Sequence, residues 1–553
     1  MRRIKFGLIA VVVLLVGASA TIVTNDKYFE IVKNIEIFSN VYKELNKNYV
    51  EDIDPGHLMR IGIDAMVSSL DPFTNYISES QVESYRINAQ GRYEGLGILV
   101  GSIDKAVTIT DVTEGGPADE AGLKVADIVQ SINGVNVIGK SDEEVNQIMR
   151  GAAGTNVEMK VKRPTSGETI NVSVARDQFN SPNVPVFEIL DGNIAYVSLT
   201  TFTQDASKNI TQALKSLEKE STGDFEGIIL DLRNNGGGLL REAIAVSNIF
   251  INKNLPIVST KGKVRDRDQA YDTRMDPYDT ETPLTVLINK KSASASEIVS
   301  GVMQDYDRGV LIGQRSYGKG LVQNTQEVGY NSRVKLTTSK YYIPSGRCIQ
   351  SVEYENGEPV DIPDEKRSKF KTTNGRTVLD GGGVSPDIKL EEPKKSEFVR
   401  ALLKDKVIFK YATSYVKSNA TIDSADVYSF KDFDGFMSFV KKSDFEFESK
   451  ADQKLKELKE ALAKQDLDMK ASNELKAISS HINSAKTDDF EENKDILVDL
   501  IEQEIINRYY YQKGKIRSNL NSDVEIKKAI EILRDSKTYN LSLIHISEPT
   551  RPY

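Results

Sequence analysis

Four short apolar runs constrain this chain more than anything else in it. They are Ala195-Tyr-Val-Ser-Leu199, Gly227-Ile-Ile-Leu-Asp-Leu232, Leu284-Thr-Val-Leu-Ile288 and Val310-Leu-Ile312. Runs this apolar suit strands buried on both faces, so residues 185 to about 390 read as alternating strands and helices, an α/β domain. At 553 residues the chain holds more than that one domain, and about three or four are expected.

The flanking segments differ in pattern. Phe29 to roughly Tyr85 places Ile31, Ile35, Phe38, Val41, Tyr42 and Leu45 at helical spacing, so short helices are expected over residues 26–88. Over residues 89–178 the chain changes to β-rich runs split by turns: Gly95-Leu96-Gly97-Ile98-Leu99-Val100, Val107-Thr-Ile-Thr110, Gly116-Pro-Ala-Asp-Glu-Ala-Gly122 and Asp127-Ile-Val-Gln-Ser-Ile-Asn-Gly134. A helix over Asp142 to Arg150 and a strand over Asn156 to Arg163 follow. After the α/β domain, placed at 179–391, residues 392–540 are Lys/Glu-rich and helical in pattern. Their stripes, Leu455, Leu458 and Leu462, then Ile496, Leu497, Leu500, Ile501 and Ile505, read as packing faces and not as cofactor boxes. The expected whole is a multidomain α/β protein.

Composition excludes several functions. Lys and Arg number 72 against 81 Asp and Glu, a formal charge of −9, so the basic excess needed to bind nucleic acid is missing. The single cysteine, Cys348, forms no intramolecular disulfide and no multi-cysteine metal or cluster site, and no cofactor is expected. The three histidines, His57, His481 and His545, all lie outside the glycine-rich middle of the chain. A neutral-pH base must therefore come from elsewhere.

Both ends read as processing features. Arg2, Arg3 and Lys5 precede a 17-residue uncharged run, Gly7 to Val23, which is an export signal by its charge and length. Ala18-Ser19-Ala20 suits cleavage, but the run approaches the roughly 20 residues that span a bilayer, so residues 1–25 are a cleaved signal or a retained anchor. No cysteine follows the run, which excludes a bacterial lipid-anchored form. Residues 541–553 resemble the translation of a sequencing adapter and are set aside from fold reasoning, His545 with them.

Three segments of the α/β domain carry chemistry. Ser292-Ala-Ser294-Ala-Ser296-Glu297 lies at a strand-to-helix junction, where unpaired N–H groups and the helix dipole stabilise developing negative charge. Taken alone, it also fits, approximately, a helix N-cap followed by a glutamate. Ser316-Tyr-Gly318-Lys319-Gly320-Leu-Val-Gln323 sets a lysine between two glycines, well placed for burial. Holding a free lysine neutral at pH 7 costs about 4.6 kcal/mol, and burial lowers a lysine pKa by about 3 to 5. The amine can then take a serine proton, as a histidine would. Asp231-Leu-Arg-Asn-Asn-Gly236-Gly237-Gly238 runs a strand into three glycines whose N–H groups suit an oxyanion.

The β-rich segment resembles a PDZ domain. The resemblance implies that a peptide adds beside the strand starting near Gly97, while the N–H groups of the Gly95-Leu96-Gly97 turn, with Ile98 following, receive a terminal carboxylate. Together with Asp380-Gly-Gly-Gly-Val-Ser-Pro-Asp387, the segments over roughly 30–390 resemble the carboxyl-terminal processing peptidases, also called tail-specific proteases. That resemblance implies a crotonase/ClpP-like serine-peptidase core with Ser294 as nucleophile, Lys319 as general base and Gln323 orienting Lys319. It further implies an oxyanion hole from the N–H groups of Ala295 and Gly238, and Arg163 as a coupler of peptide binding to active-site alignment. The implied partners are proteins with exposed apolar C-termini. The implied location is the periplasmic side of a bacterial envelope, anchored or soluble, with membrane contact through residues 7–23 and homo-oligomerisation left open.

Two other readings compete. Gly313-Gln-Arg-Ser-Tyr-Gly318-Lys319 matches the first seven positions of a phosphate loop, but Gly320 stands where Ser or Thr should hold magnesium, and a strand follows where a helix should. A catalytically silent PDZ adaptor of the envelope would need neither Ser294 nor Lys319, and both are present.

Overall fold

The computed structural model describes residues 27–544, apart from 80, 83–92, 150, 180–181, 351–353, 356–357, 361, 392–394 and 465–470. The export segment and residues 545–553 lie outside the described residues. Among the described residues no helix is long and apolar enough to cross a membrane. The chain divides into two compact units, one formed by residues up to 79 with 323–337, the other by the remainder.

In the first unit residues 27–48 are helical, and a second helix spans Pro55–Ser68, where Asp54 caps the free N–H groups of Gly56 and His57. The apolar spacing of the first helix is helical as expected, but Ile31, Ile35, Phe38, Val41 and Leu45 are exposed. One shorter neighbour, Pro55–Ser68, cannot cover a stripe of that length; it lies against the Phe38 ring at Gly62, and its Pro55 carbonyl accepts from the Tyr42 hydroxyl at 2.8 Å. The strand Asn75–Ile77 pairs with Arg333–Lys335.

The second unit begins with a β-rich domain. Strands Ile98–Ile103, Ala106–Val112, Ile128–Ile132, Asn156–Lys162 and Thr169–Ala175 lie side by side in that order. Asn156–Lys162 alternates strictly, with Val157, Met159 and Val161 buried and their neighbours exposed. Ile109, Leu123, Val129, Ile132 and Val145 complete this core. Ile98–Ile103 is an edge of the sheet, and the helix Asp142–Met149 packs near it.

The α/β core holds a six-stranded sheet. Its strands, here β1 (Val186–Leu190), β2 (Ile194–Ser198), β3 (Gly227–Asp231), β4 (Leu284–Ile288), β5 (Val310–Gly313) and β6 (Ile388–Lys389), are ordered as numbered. β1 runs antiparallel to β2 and the rest are parallel. Successive residues divide between two cores because side chains alternate across a sheet. Ala195, Val197, Ile228, Leu230, Val286 and Ile288 meet helices α1 (Ala206–Glu220), α2 (Leu240–Phe250) and α3 (Ala295–Asp305) on one face. Ile194, Tyr196, Ile229, Leu287, Val310 and Ile312 face the other way, against Ile526, Ala529, Ile532, Leu533 and Tyr539 from the end of the chain.

The last part is helical. Glu397–Lys404, Val407–Ser418, Phe433–Lys442 and α4 (Lys494–Asn519) enclose an aromatic core around Phe398, Tyr411 and Phe436. Leu497, Ile501 and Ile505 are fully buried there, and Leu455 is buried as well, while Leu458 is exposed. α4 is broken at Tyr511, whose φ of 57° is not helical. Two further helices, α5 (Val524–Arg534) and α6 (Ser536–Ser542), carry the residues that cover the sheet.

Candidate active site

β4 delivers the serine-rich segment to the start of α3. The three serines, alike in sequence, are separated by their surroundings. Ser292 is fully buried and its hydroxyl donates to the Leu232 carbonyl at 2.8 Å; Ser296 is equally buried and donates to the Asn235 carbonyl at 2.8 Å. Both hydroxyls therefore tie the serine segment to the loop after β3. Ser294 is half-buried, and among the described residues its hydroxyl donates to no protein group. Its backbone sits at φ 57°, ψ −111°, a conformation that a non-glycine residue adopts only where the surroundings enforce it.

Glu297 is part of what enforces it. This side chain is fully buried. One oxygen, Oε2, accepts from the N–H of Ser294 at 2.8 Å and of Lys319 at 2.9 Å; the other, Oε1, accepts from the Ser316 hydroxyl at 2.5 Å and the Gly318 N–H at 2.7 Å. Burial pushes the Glu297 carboxyl pKa up, and the four donors oppose that rise. One carboxylate thus joins the backbone of Ser294 to the backbone of Lys319. The Ser316 hydroxyl in turn accepts from the Val384 N–H at 2.7 Å, which draws in the Gly381-Gly382-Gly383 turn. Glu297 was legible from sequence only as a helix cap, because its other partners lie far along the chain.

The glycine loop after β3 lies directly against Ser294. A Cβ built on Gly237 would stand 2.7 Å from the Ala293 carbonyl oxygen and 2.8 Å from the Ser294 Cβ. Phe202 donates its N–H to the Gly237 carbonyl at 3.0 Å and accepts from Leu239 at 2.8 Å, so the N–H of Gly238, between them, points away from Phe202. Gly238 is exposed. Ala295 opens α3, where the first N–H groups have no partner inside the helix. Asn235 is fully buried, and holds the loop by donating to the Leu199 carbonyl at 2.8 Å and accepting from the Gly237 N–H at 2.9 Å. Sequence reasoning quoted Asn235 but gave it no role.

Lys319 is half-buried, less enclosed than its flanking glycines suggested. Gly318 has φ 91°, and Gly320 approaches Gln350 so closely that a Cβ would stand 2.6 Å from its backbone nitrogen. The Tyr341 hydroxyl donates to the Lys319 carbonyl. The segment's conformation is therefore set on both sides of the lysine. Gln323, in the other unit, is half-buried and donates to the Thr337 hydroxyl at 3.3 Å.

At the β-rich domain, Gly97 has φ 76°, the left-handed conformation that suits glycine. Leu96 and Ile98 are buried, and Gly95 ends a short strand paired with Asp177. The turn is fixed from behind, since the Gly97 carbonyl accepts from Thr113 and the Leu96 carbonyl from Ala118, each at 2.8 Å. The adjoining edge of Ile98–Ile103 is unpaired among the described strands. Arg163 forms a two-pronged pair with the buried Asp127, 2.9 Å from Nε to Oδ1 and 2.7 Å from Nη2 to Oδ2, and also donates to the Gly122 carbonyl at 2.7 Å. Its guanidinium is engaged within its own domain.

Comparisons with known proteins agree along the chain. Peptidase family S41 matches residues 193–358, a PDZ domain matches 108–163, and a probable PDZ-protease C-terminal helical domain matches 398–533. A carboxy-terminal-processing protease of Bartonella bacilliformis is 33% identical over 369 residues, 66% of this chain and 84% of its own. A probable CtpA-like serine protease of Staphylococcus aureus is 32% identical over 333 residues, 60% of this chain and 65% of its own. A solved photosystem II D1 C-terminal processing protease is 25% identical, with a TM-score of 0.37, over 64% of this chain and 92% of its own. On the first of these relationships, the chain belongs to the carboxyl-terminal processing peptidases, peptidase family S41.

Proposed function

We propose that this protein is a serine endopeptidase that takes protein C-termini into its PDZ groove and hydrolyses peptide bonds by a Ser-Lys acyl-enzyme mechanism. The observation that carries the reading is Ser294 itself. It sits at a strained strand-to-helix junction with a hydroxyl proton given to no protein group among the described residues, while Glu297 joins its backbone to that of Lys319.

In this reading Lys319 Nζ removes the Ser294 hydroxyl proton as Oγ attacks the scissile carbonyl. The N–H groups of Gly238 and Ala295 receive the resulting oxyanion. The tetrahedral intermediate collapses, the amine leaves with the proton from Lys319, and water hydrolyses the ester by the reverse sequence. Gln323 orients the lysine. A substrate tail lies along Ile98–Ile103 with its carboxylate at Gly95, Leu96 and Gly97. The basic start and the run Gly7 to Val23 support an exported location on the periplasmic side of the envelope.

The test is degradation of an unfolded protein ending in an apolar tail, by wild type, Ser294→Ala and Lys319→Ala. Wild type is expected to cleave and both variants to be inactive. Cleavage by the variants at the wild-type rate would remove the assignment, and binding of the tail without cleavage by any of the three would favour an adaptor.

A further inference from the structure

The loop after β3, which carries the candidate oxyanion glycines, and the loop after β5, which leads to Lys319, flank the strand that leads to Ser294. They leave the sheet one on either side of β4. A single side chain from the far end of the chain spans the gap between them. Glu525, in the first turn of α5, accepts from Arg233 Nη1 at 2.6 Å through Oε2 and from Gln314 Nε2 at 2.6 Å through Oε1. Arg233 begins the glycine loop and Gln314 begins the segment to Lys319. The fit at Gly313 is close, since a Cβ there would stand 3.3 Å from Glu525 Oε1.

The geometry points to Glu525 as a positioning residue, one that sets the spacing of the oxyanion loop and the lysine loop across β4 and makes catalysis depend on the docked C-terminal helix. This role rests on the peptidase reading above. The surrounding charges show why a purely structural brace does not require it. Arg233 already has two other carboxylates: Asp231, 2.6 Å from Nη2, and Asp523, 2.6 Å from Nη1. Asp523 meanwhile caps α5 through the N–H groups of Glu525 and Ile526. Without Glu525 the guanidinium remains paired and the helix remains capped, but the link to Gln314 is lost. Catalytic geometry is far more sensitive than folding to such a loss, because a misplacement of about 1 Å can cost about 100-fold in rate.

The experiment uses the full chain and a tailed unfolded substrate, reading kcat, KM and the rate of Ser294 labelling by a fluorophosphonate. Glu525→Ala is expected to lower kcat and the labelling rate about 10- to 100-fold, with KM within about twofold and melting within a few degrees of wild type. The exchange Gln314→Glu with Glu525→Gln rebuilds the link with its donor reversed, since the amide now on α5 donates to the carboxylate on the lysine loop and its carbonyl still accepts from Arg233. It is expected to restore kcat to within a few-fold. Folded Glu525→Ala with wild-type kcat would overturn the role, and so would a loss that the exchange leaves in place. Activity that falls only in proportion to lost folding would mark Glu525 as merely structural, which also overturns it. A wild type that cleaves nothing would instead sink the peptidase reading, and the positioning role with it.

Discussion

A carboxylate that accepts four hydrogen bonds has no isosteric substitute, and that makes Glu297 the sharpest residue-scale test. Glutamine at this position would turn an NH2 group toward two of the four donors from Ser294, Ser316, Gly318 and Lys319. Glu297→Gln is expected to reduce kcat by about 100-fold or more, read on a tailed substrate, with a cooperative melt retained. A variant as active as wild type would show that the Ser294 and Lys319 backbones need no common anchor. Stability should also carry a signature of this group. Because burial raises its pKa, the folded state holds a proton that the unfolded state has already lost as pH rises above the ordinary carboxylate range. The stability linked to Glu297 is therefore full below the unfolded pKa and declines as pH climbs through the folded one. Melting temperatures across acidic pH should show that decline in wild type and lack it in Glu297→Gln; parallel profiles would refute the linkage. Gly237 fails for a steric reason. At φ 99°, with Ser294 Cβ 2.8 Å from where its own Cβ would lie, Gly237→Ala should displace Ser294, the proposed nucleophile, and cost at least about 100-fold in rate. Ser294 and Lys319 stand out as candidates because serines and glycines cluster around them. The wider role of Glu297 does not, since Gly318 and Lys319 are 21 and 22 residues away and spacing along a chain does not reveal a shared acceptor.

Elements were easiest to read where one pattern governs a whole run. Leu284–Ile288 appears as expected, and Gly227–Asp231 and Val310–Gly313 differ from expectation only at their ends. Double-sided burial leaves little room in such strands for polar residues. The first helix shows the converse: its spacing revealed helix but not exposure, because periodicity marks a face and says nothing of what covers it. Arg163 is a third case, where the sequence carried only an inherited expectation and the structure supplies a local cause. Its partner Asp127 is 1% exposed, so removing the guanidinium leaves a buried charge short of its main counterion. The Arg163→Ala substitution should destabilise the PDZ domain by about 3 kcal/mol, seen as an early unfolding step in calorimetry, with weaker binding of a C-terminal peptide. Arg163→Lys should recover only part of that, since an ammonium cannot reproduce the two-pronged contact. An unchanged melt with lost cleavage would instead favour a coupling role over a structural one.

At the scale of the whole second unit, the helical end of the chain proves to be part of the catalytic core's architecture. Its stripes predicted packing faces but gave no hint of their partners, because a helix's own sequence does not say which sheet it will cover. α4 reaches the PDZ domain through Tyr511 and Asp119, at 2.5 Å, and Lys410 of the preceding helices pairs with Asp104 at 2.6 Å. α5 and α6 then close the second face of the six-stranded sheet. Tyr539 accepts from the Leu284 N–H at 2.9 Å. A sheet buried on one side by α1 to α3 cannot leave Tyr196, Ile229, Leu287, Val310 and Ile312 in water on the other, since an apolar patch of that kind drives association. Removing the chain from residue 520 onward should therefore leave a protein that precipitates or fails to melt cooperatively, although every candidate catalytic residue remains. Smaller lesions should grade the same effect. Ile532→Ala empties a site that is 1% exposed and should cost about 2 to 5 kcal/mol, whereas Val524→Ala, 69% exposed on the same helix, should cost under about 0.5 kcal/mol. Denaturant titration of the two variants beside wild type decides the matter. Equal midpoints for Ile532→Ala and Val524→Ala, or a soluble, cooperatively folded truncation, would mean that the sheet stands without its C-terminal cover.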